Sequence, residues 1–393
     1  MKINKINIIG GGISGLALGF FAKKAGLDFT IYEASSKCGG LISTQVLEDF
    51  TGLIHHGPHL VRLSSELDDV LHTLSVDFLT AKKTGRFLLI NDKVIHILPN
   101  FKQFLEVLTH IFKKRKKNYA SLKDFVSHHF GKTTAERQIQ AIVNGIFACD
   151  VDELHETALK SLYFTEKRAI YFILRKFFAK LRAKWQKNQI IRPIIRPISG
   201  FQSLIDALFE NLRENIVLNH KITKIDENCM NFITIPAYCV PQVEGIPQNI
   251  YKICDKIRYQ TISVATIFTS KPIKFEGIGC LSNAKSGILG VLFNSSAFAE
   301  KCDKMHSYSI FYKNSSTKVV DLWFESFFDI KIFQSHHFEY KNAIPIHDSS
   351  VHQLILENAG NAYGTKIFSN YSGQISVSDI FSNAKKEIEK FKY

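Results

Sequence analysis

The sequence predicts an α/β protein, α+β overall, in which a parallel-sheet domain is interleaved with a β-rich domain and carries a helical insertion. Three observations predict it. The first forty residues read strand, helix, strand around a glycine-rich turn. Residues 101–190 repeat apolar side chains at helical spacing. Residues 216–340 are mostly short β-branched and aromatic runs, the mark of strands.

Lys5 to Ile9 reads as a short buried strand, Gly10 to Gly15 as a turn, and Ile13 to Ala25 as a helix ending at Gly26. Phe29 to Tyr32 is the second strand. Residues 46–100 read as short strands and turns with one helix, Ser65 to Leu74. Phe101 to Phe112, Leu122 to Phe130, Thr133 to Ile146 and Ala169 to Trp185 have helical periodicity, and Gly200 to Leu212 is a further helix. A strand is expected over Lys221 to Ile225, and a turn followed by a helix over Ser372 to Lys392. The resulting division is 1–80, 191–240 and 346–393 for the parallel-sheet domain, 81–190 for the helical insertion and 241–345 for the β-rich domain.

Gly10-Gly11-Gly12-Ile13-Ser14-Gly15 fits G-x-G-x-x-G between a strand and a helix, which makes the first domain Rossmann-type. Gly10 permits the tight turn, Gly12 lets backbone approach a pyrophosphate, and Gly15 lets helix and strand pack closely. The helix start offers free N–H groups and a positive dipole end to phosphates. Glu33 follows the second strand, 18 residues after Gly15, where its carboxylate can accept from ribose hydroxyls. An acid there disfavours a 2′-phosphate cofactor.

The chain has 393 residues and 45% hydrophobic composition, enough for two or three lobes with a large core. Its 50 Lys+Arg against 36 Asp+Glu give +14, which suits an anionic partner or reflects compositional drift toward Lys. Seven scattered cysteines without Cys-x-x-Cys argue against a disulfide framework and a zinc site, and fit a reducing compartment. His55, His56 and His59 lack the acid or thiol spacing of a metal site, so no metal is expected. No aromatic-interleaved basic motif points to nucleic acid. With no apolar run of the roughly 18 residues a span needs, the expected place is the cytoplasm. The basic run Lys113 to Lys117 and the bulky, basic 169–185 helix allow a peripheral place on the anionic cytoplasmic face of an inner membrane, or a solvated basic face.

Further segments carry a resemblance. Glu33-Ala34 through Thr44, with Gly39-Gly40, looks like the FAD-binding signature of the amine oxidase and protoporphyrinogen oxidase superfamily. Within it the chain resembles the protoporphyrinogen oxidase family. HHGPHLVR (55–62), GRFLLINDKVIHILP (85–99) and NGIFACDVDEL (144–154) are similar to family segments in the family's order. So are SGFQSLIDAL (199–208), ITIPA (233–237), FEGIGCL (275–281), GILGVLFNSSAF (287–298), KNAIP (341–345) and YSGQISVSDIFSNAKK (371–386).

The resemblance implies FAD as cofactor, a porphyrinogen substrate and dioxygen as acceptor, with protoporphyrinogen IX oxidised to protoporphyrin IX. It implies FAD contacts from Gly10, Gly12, Ile13, Ser14, Gly15, Glu33, Ala34, Gly39, Gly40, Gly57, Pro58, Ile222, Gly373, Ile375 and Val377. Backbone N–H groups over 374–377 could face a ring edge, with Ser378 or Asp379 capping the helix that follows. No general base is identified. Arg62, His59 and Arg86 are candidates for pairing with substrate carboxylates, with His59 standing where the family has an arginine and acting only when protonated. His55 replaces an expected Glu and Cys149 an expected Gly, which bears on turnover more than on FAD binding. Alternatives are coproporphyrinogen III as substrate, another flavoenzyme of the superfamily, and a non-catalytic FAD- or tetrapyrrole-binding protein.

Overall fold

A computed structural model describes residues 5–47, 52–90, 93–97, 100–185, 192–283, 287–299, 305–360, 364–374 and 376–391, the side chains of 183–185 and 358–360 excepted. The chain divides into two compact units: unit 1 is Met1–Ala81, Arg192–Arg258 and Gln353–Tyr393, and unit 2 is Lys82–Ile191 and Tyr259–His352. Residues 241–258, grouped above with the β-rich domain, fall in unit 1, as does the chain from Gln353 on, whereas 346–352, grouped above with the parallel-sheet domain, fall in unit 2.

In chain order, unit 1 begins with β1 (Ile6–Ile9), α1 (Ile13–Lys24), β2 (Phe29–Tyr32), β3 (Ser43–Val46), β4 (Leu53–His56), β5 (Val61–Arg62), α2 (Ser65–Thr73) and β6 (Phe78–Thr80). Unit 2 follows with β7 (Arg86–Ile90), β8 (Lys93–His96), α3 (Phe101–His110), α4 (Leu122–Phe130), α5 (Lys132–Thr134), α6 (Gln140–Phe147) and α7 (Ala169–Trp185). Unit 1 resumes with β9 (Ile194–Pro197), α8 (Phe201–Leu212), β10 (Ile216–Val217), β11 (Met230–Ile233) and α9 (Gln248–Cys254). Unit 2 adds β12 (Tyr259–Thr269), β13 (Gly279–Ser282), β14 (Ile288–Leu292), α10 (Asn294–Phe298), β15 (His306–Tyr312), α11 (Thr317–Phe328) and β16 (Gln334–Pro345). α12 (Ser349–Gly360) carries the chain back to unit 1, which ends with β17 (Thr365–Ile367) and α13 (Val377–Glu389).

Unit 1 is built on a parallel sheet in the order β10-β2-β1-β11-β17. Both faces of β1 are buried, which is why it reads as an unbroken apolar run rather than an alternating one. The same logic explains α1, whose apolar residues spread round its circumference. It is packed by the sheet, α8 and α13 in one core with Leu16, Phe20, Leu208 and Phe381.

Unit 2 holds a seven-stranded sheet in the order β16-β12-β15-β14-β13-β7-β8, antiparallel except where β13 meets β7. Its principal core packs Val320, Phe324 and Phe328 of α11 with Ile267, Val291 and Ile310. The stretch 216–340 was expected to be strands, yet α11 lies within it. Val319, Val320, Trp323 and Phe324 have strand-like propensity, but burial recurs at 320, 324 and 328, the spacing of one helix face. The Ser316 side chain starts that helix by accepting from Val319 N at 3.4 Å. The strand expected over Lys221 to Ile225 is likewise absent: only an isolated bridge, Lys224 with Glu244, forms there. The stretch 135–139, expected as regular α-helix, is a π-turn between α5 and α6.

Candidate functional site: a dinucleotide cradle and a buried basic cluster

The turn between β1 and α1 is held from beneath. Thr234, just past β11, donates its hydroxyl toward Ile9 O (2.9 Å) and Gly10 O (2.8 Å). Gly10 takes φ +114°, where a side chain is strained, and a Cβ there would lie 2.7 Å from Thr234 Oγ1. A Cβ on Gly15 would stand 2.0 Å from Gly10 O, so α1 can approach the turn only without one.

Gly12 differs. A Cβ on it meets nothing within 4 Å. Gly12 is also the N-cap of α1, and no side chain caps that end and no acid lies in its first turn. The free amides and the dipole's positive end thus face open space, the arrangement that receives a phosphate. Ser14 is buried and Ile13 packs against the core, so both act here through backbone.

Glu33 stands at the end of β2. Its Oε2 accepts from Gly11 N at 2.7 Å, and its Oε1 accepts from Ser35 N at 2.8 Å and Ser35 Oγ at 2.6 Å. The carboxylate is thereby fixed beside the glycine turn, with exposed Ala34 following it. Gly39 N donates to Gly11 O at 3.0 Å, and a Cβ on Gly40 would come within 3.5 Å of Gly12 Cα. The Cys38 thiol between them is pushed up to about 11 by burial and then by the Glu33 charge, so it stays protonated.

The remaining predicted residues are placed as follows. Gly57 (φ +86°) lies against Leu41 O and Ile42, and Pro58 follows it half-buried. Ile222 is half-buried on the irregular 221–225 segment. Gly373 is buried with φ +99°, and Tyr371 just before it donates its hydroxyl to Ile235 O at 2.8 Å. Val377 opens α13, whose cap is Ser376, accepting from Asp379 N at 3.1 Å, rather than the expected Ser378 or Asp379. Ser376 is the residue with extended backbone, so only its hydroxyl faces the free amides. Ile375, like Cys302, lies outside the described residues.

Among the cation candidates, Arg62 is exposed on β5 of unit 1 and donates to Arg192 O at 3.4 Å. Arg86 is exposed at the start of β7 in unit 2. His59 requires a correction. It is 4% exposed, and burial, then the charges of Arg196 and His56, lowers it to about 3. A histidine so placed is neutral at physiological pH and offers no cation to a carboxylate. His55, 3% exposed, is held well below the usual range by burial and then by Arg196. The two rings meet edge to face, with centroids 5.4 Å apart.

Arg196 on β9, with 0% exposure, is the cation the sequence reading missed. Its neighbours Ile194, Ile195 and Pro197 are buried too, so an Arg in an apolar run was the available signal. Among the described residues, no three His, Cys, Asp or Glu are placed to hold a metal ion.

The parallel sheet, the open tip of α1 and the acid at the end of β2 define a class: a Rossmann-type dinucleotide-binding protein. The family described as NAD(P)-binding Rossmann-like domain matches residues 8–75. Within that class the chain resembles protoporphyrinogen oxidases over most of its length. It is 25% identical to the mitochondrial protoporphyrinogen oxidase of Nicotiana tabacum, covering 80% of this chain and 76% of that protein. It is 26% identical to coproporphyrinogen III oxidase of Bacillus subtilis, over 56% of this chain and 51% of that protein. A solved structure from Exiguobacterium sp. 255-15, assigned provisionally as a protoporphyrinogen oxidase, superposes with TM-score 0.75 at 17% identity, covering 99% and 98% of the two chains. Reduced UDP-galactopyranose mutase superposes with TM-score 0.76 at 13% identity, covering 98% and 95%. At these identities the structures speak to the fold.

Proposed function

We propose that the chain oxidises a porphyrinogen with FAD as cofactor and dioxygen as final acceptor, and that its substrate is protoporphyrinogen IX. The observation that carries the reading is the tip of α1: uncapped, free of acid and open above Gly12, in a chain whose relatives include porphyrinogen oxidases. The residues present fit an FAD. The α1 amides would take its diphosphate and Glu33 a ribose, while Thr234 keeps the turn rigid. Bound FAD would supply the acceptor for hydride from a bridging carbon of the macrocycle. The protein's part is then binding and orientation, and the pyrrole proton can pass to water. Arg62 is the carboxylate partner we favour. It is exposed, as a group meeting a charged arm must be, whereas His59 is buried and neutral.

Coproporphyrinogen III is the second reading, and the Bacillus subtilis relative favours it. Anaerobic mixing of the FAD-loaded protein with each porphyrinogen separates the two, since the true substrate bleaches the flavin absorbance faster. Bleaching by neither would leave a non-catalytic binding protein. Arg62→Ala is expected to raise the KM about tenfold without bleaching the flavin, in line with one charge-assisted contact. An unchanged KM would remove Arg62 from the site.

A peripheral place on an anionic membrane is part of the same proposal. Phe101, Phe104 and Leu105 of α3 and Phe177 and Phe178 of α7 are exposed, on helices whose ends are tied by the hydrogen bond from Ile170 N to Ile111 O (3.0 Å). The basic run Lys113 to Lys117 lies between these helices in sequence. No helix among the described residues is long and apolar enough to cross a membrane. Cosedimentation with vesicles rich in anionic lipid, but not with neutral ones, is expected.

A further inference from the structure

The basic cluster of unit 1 exceeds what holding a diphosphate requires. Arg196 is wholly buried, and His55 and His59 beside it are 3% and 4% exposed. The cluster adjoins the glycine turn through bare backbone. A Cβ on Gly40 would lie 3.5 Å from Gly12 Cα, and one on Gly57 would lie 3.0 Å from Leu41 O and 3.5 Å from Ile42 Cα. Gly12, Gly40 and Gly57 therefore mark close backbone approaches that link the α1 tip, the 39–42 segment and the segment carrying His55 and His59. Glu33 is bonded to Gly11. The two halves of a dinucleotide leave the diphosphate in different directions. With one ribose on Glu33, the 39–42 and 55–59 segments are left to the other half.

Burial decides which chemistry Arg196 serves. A guanidinium with no exposed surface cannot be touched by the carboxylate arm of an incoming substrate. Its charge, however, acts through space more strongly in a low-dielectric interior than in water. It already does so on its neighbours, because burial and then Arg196 keep both imidazoles neutral. Their neutrality leaves the guanidinium as the charge of this three-residue cluster. The Nδ1 atom of His55, buried and without a hydrogen-bond partner, is a polar atom in the same cluster. The start of α13 is the other candidate source of positive potential, but Ser376 caps it and Asp379 lies in its first turn.

We propose that Arg196, sheathed by His55 and His59, is the counter-charge for the cofactor in its reduced state. The proposal rests on the reading that this site holds FAD. Uptake of a hydride adds two electrons and one proton to a neutral ring, which then carries one negative charge. Arg196 would stabilise that charge, so no second proton is needed, and reoxidation would pass the two electrons and the ring's proton to dioxygen, which takes a second proton from water and leaves as hydrogen peroxide. Arg196 acts as a positioning residue for charge and touches no substrate.

The test is the midpoint potential of the FAD-loaded protein, measured by anaerobic titration against reference dyes. Arg196→Met is expected to make reduction about 100-fold less favourable, about 60 mV at 29.6 mV per tenfold for a two-electron couple. Sulfite, which adds to the oxidised ring and leaves it negatively charged, should bind Arg196→Met at least about tenfold more weakly. Arg196→Lys should recover most of both losses. If Arg196→Met does not fold, the wild type still decides. Its potential should fall by about 30 mV per pH unit on the acidic side of neutrality, the mark of one proton per two electrons. A slope of about 60 mV per unit there, or an unchanged potential and sulfite affinity in Arg196→Met, overturns the proposal. A wild-type protein that takes up no FAD overturns the cofactor reading together with it, whereas an FAD-loaded protein with unchanged potentials overturns this inference alone.

Discussion

Two helices of unit 1 start within the same domain and are finished differently. α1 begins at a glycine with no capping side chain, no acid in its first turn and open space above it. α13 begins at Ser376, whose hydroxyl accepts from Asp379 N, and carries Asp379 in its first turn. The second helix satisfies one of its free amides from within the chain and sets an acid beside the rest. The first leaves them for something the chain does not supply. The contrast teaches that the absence of a cap, when the surrounding turn is rigidly built, is a binding feature. It also assigns charges. On the proposals above, the α1 tip would take fixed negative charge on a diphosphate, and the charge of reduction would fall to the buried Arg196.

The comparison can be broken first at Gly12. A Cβ on Gly12 meets no protein atom within 4 Å, so Gly12→Val should leave the melting of the apoprotein close to unchanged. It should lose about 100-fold or more in FAD affinity, the loss of charged hydrogen bonds worth about 1.5–3 kcal/mol each. Retained yellow colour after desalting would refute the assignment. Gly15→Ala should do the reverse in kind, because its Cβ meets Gly10 O at 2.0 Å. The apoprotein itself should lose about 1–3 kcal/mol, read from denaturant melts.

The buried imidazoles make a third expectation, in pH. His59 is lowered to about 3 by burial first and Arg196 next. The unfolded chain therefore binds a proton that the folded one does not between pH 6.5 and about 3. Apoprotein stability should fall with acidification across that window by up to about 1.4 kcal/mol per pH unit for such a group. His59→Gln should flatten the slope, whatever it does to stability at neutral pH. The smallest effect belongs to the capped helix: Ser376→Ala should cost about 1 kcal/mol and leave FAD retention unchanged. If it instead released FAD as readily as Gly12→Val does, the two tips would not differ in the way described.

Much of unit 1's first segment was legible. A glycine turn between a buried strand and a helix is a local pattern, and local patterns survive in sequence because adjacent residues carry them. Leu122–Phe130 and Ala169–Trp185 were legible for the same reason, since one helical face repeats within a few turns. α11 was not, because β-branched and aromatic residues satisfy both periods until a partner surface selects one. The cap of α13 was missed by two or three residues, since Ser376, Ser378 and Asp379 stand within four positions and only backbone geometry chooses among them. His59 was read as a cation because its residue type permits it. Burial beside Arg196 removes the charge, and burial is not a property of the residue alone.

By itself, then, the sequence determined the chemistry that depends on neighbours in the chain: the turn Gly10 to Gly15, the acid at Glu33 and the helix amides between them. Tertiary structure alone decided which charges survive. It buried Arg196 from a distant strand against His55 and His59, and it left Gly12 facing open space. A side chain's proton affinity and a backbone's accessibility depend on what the rest of the fold withdraws from water.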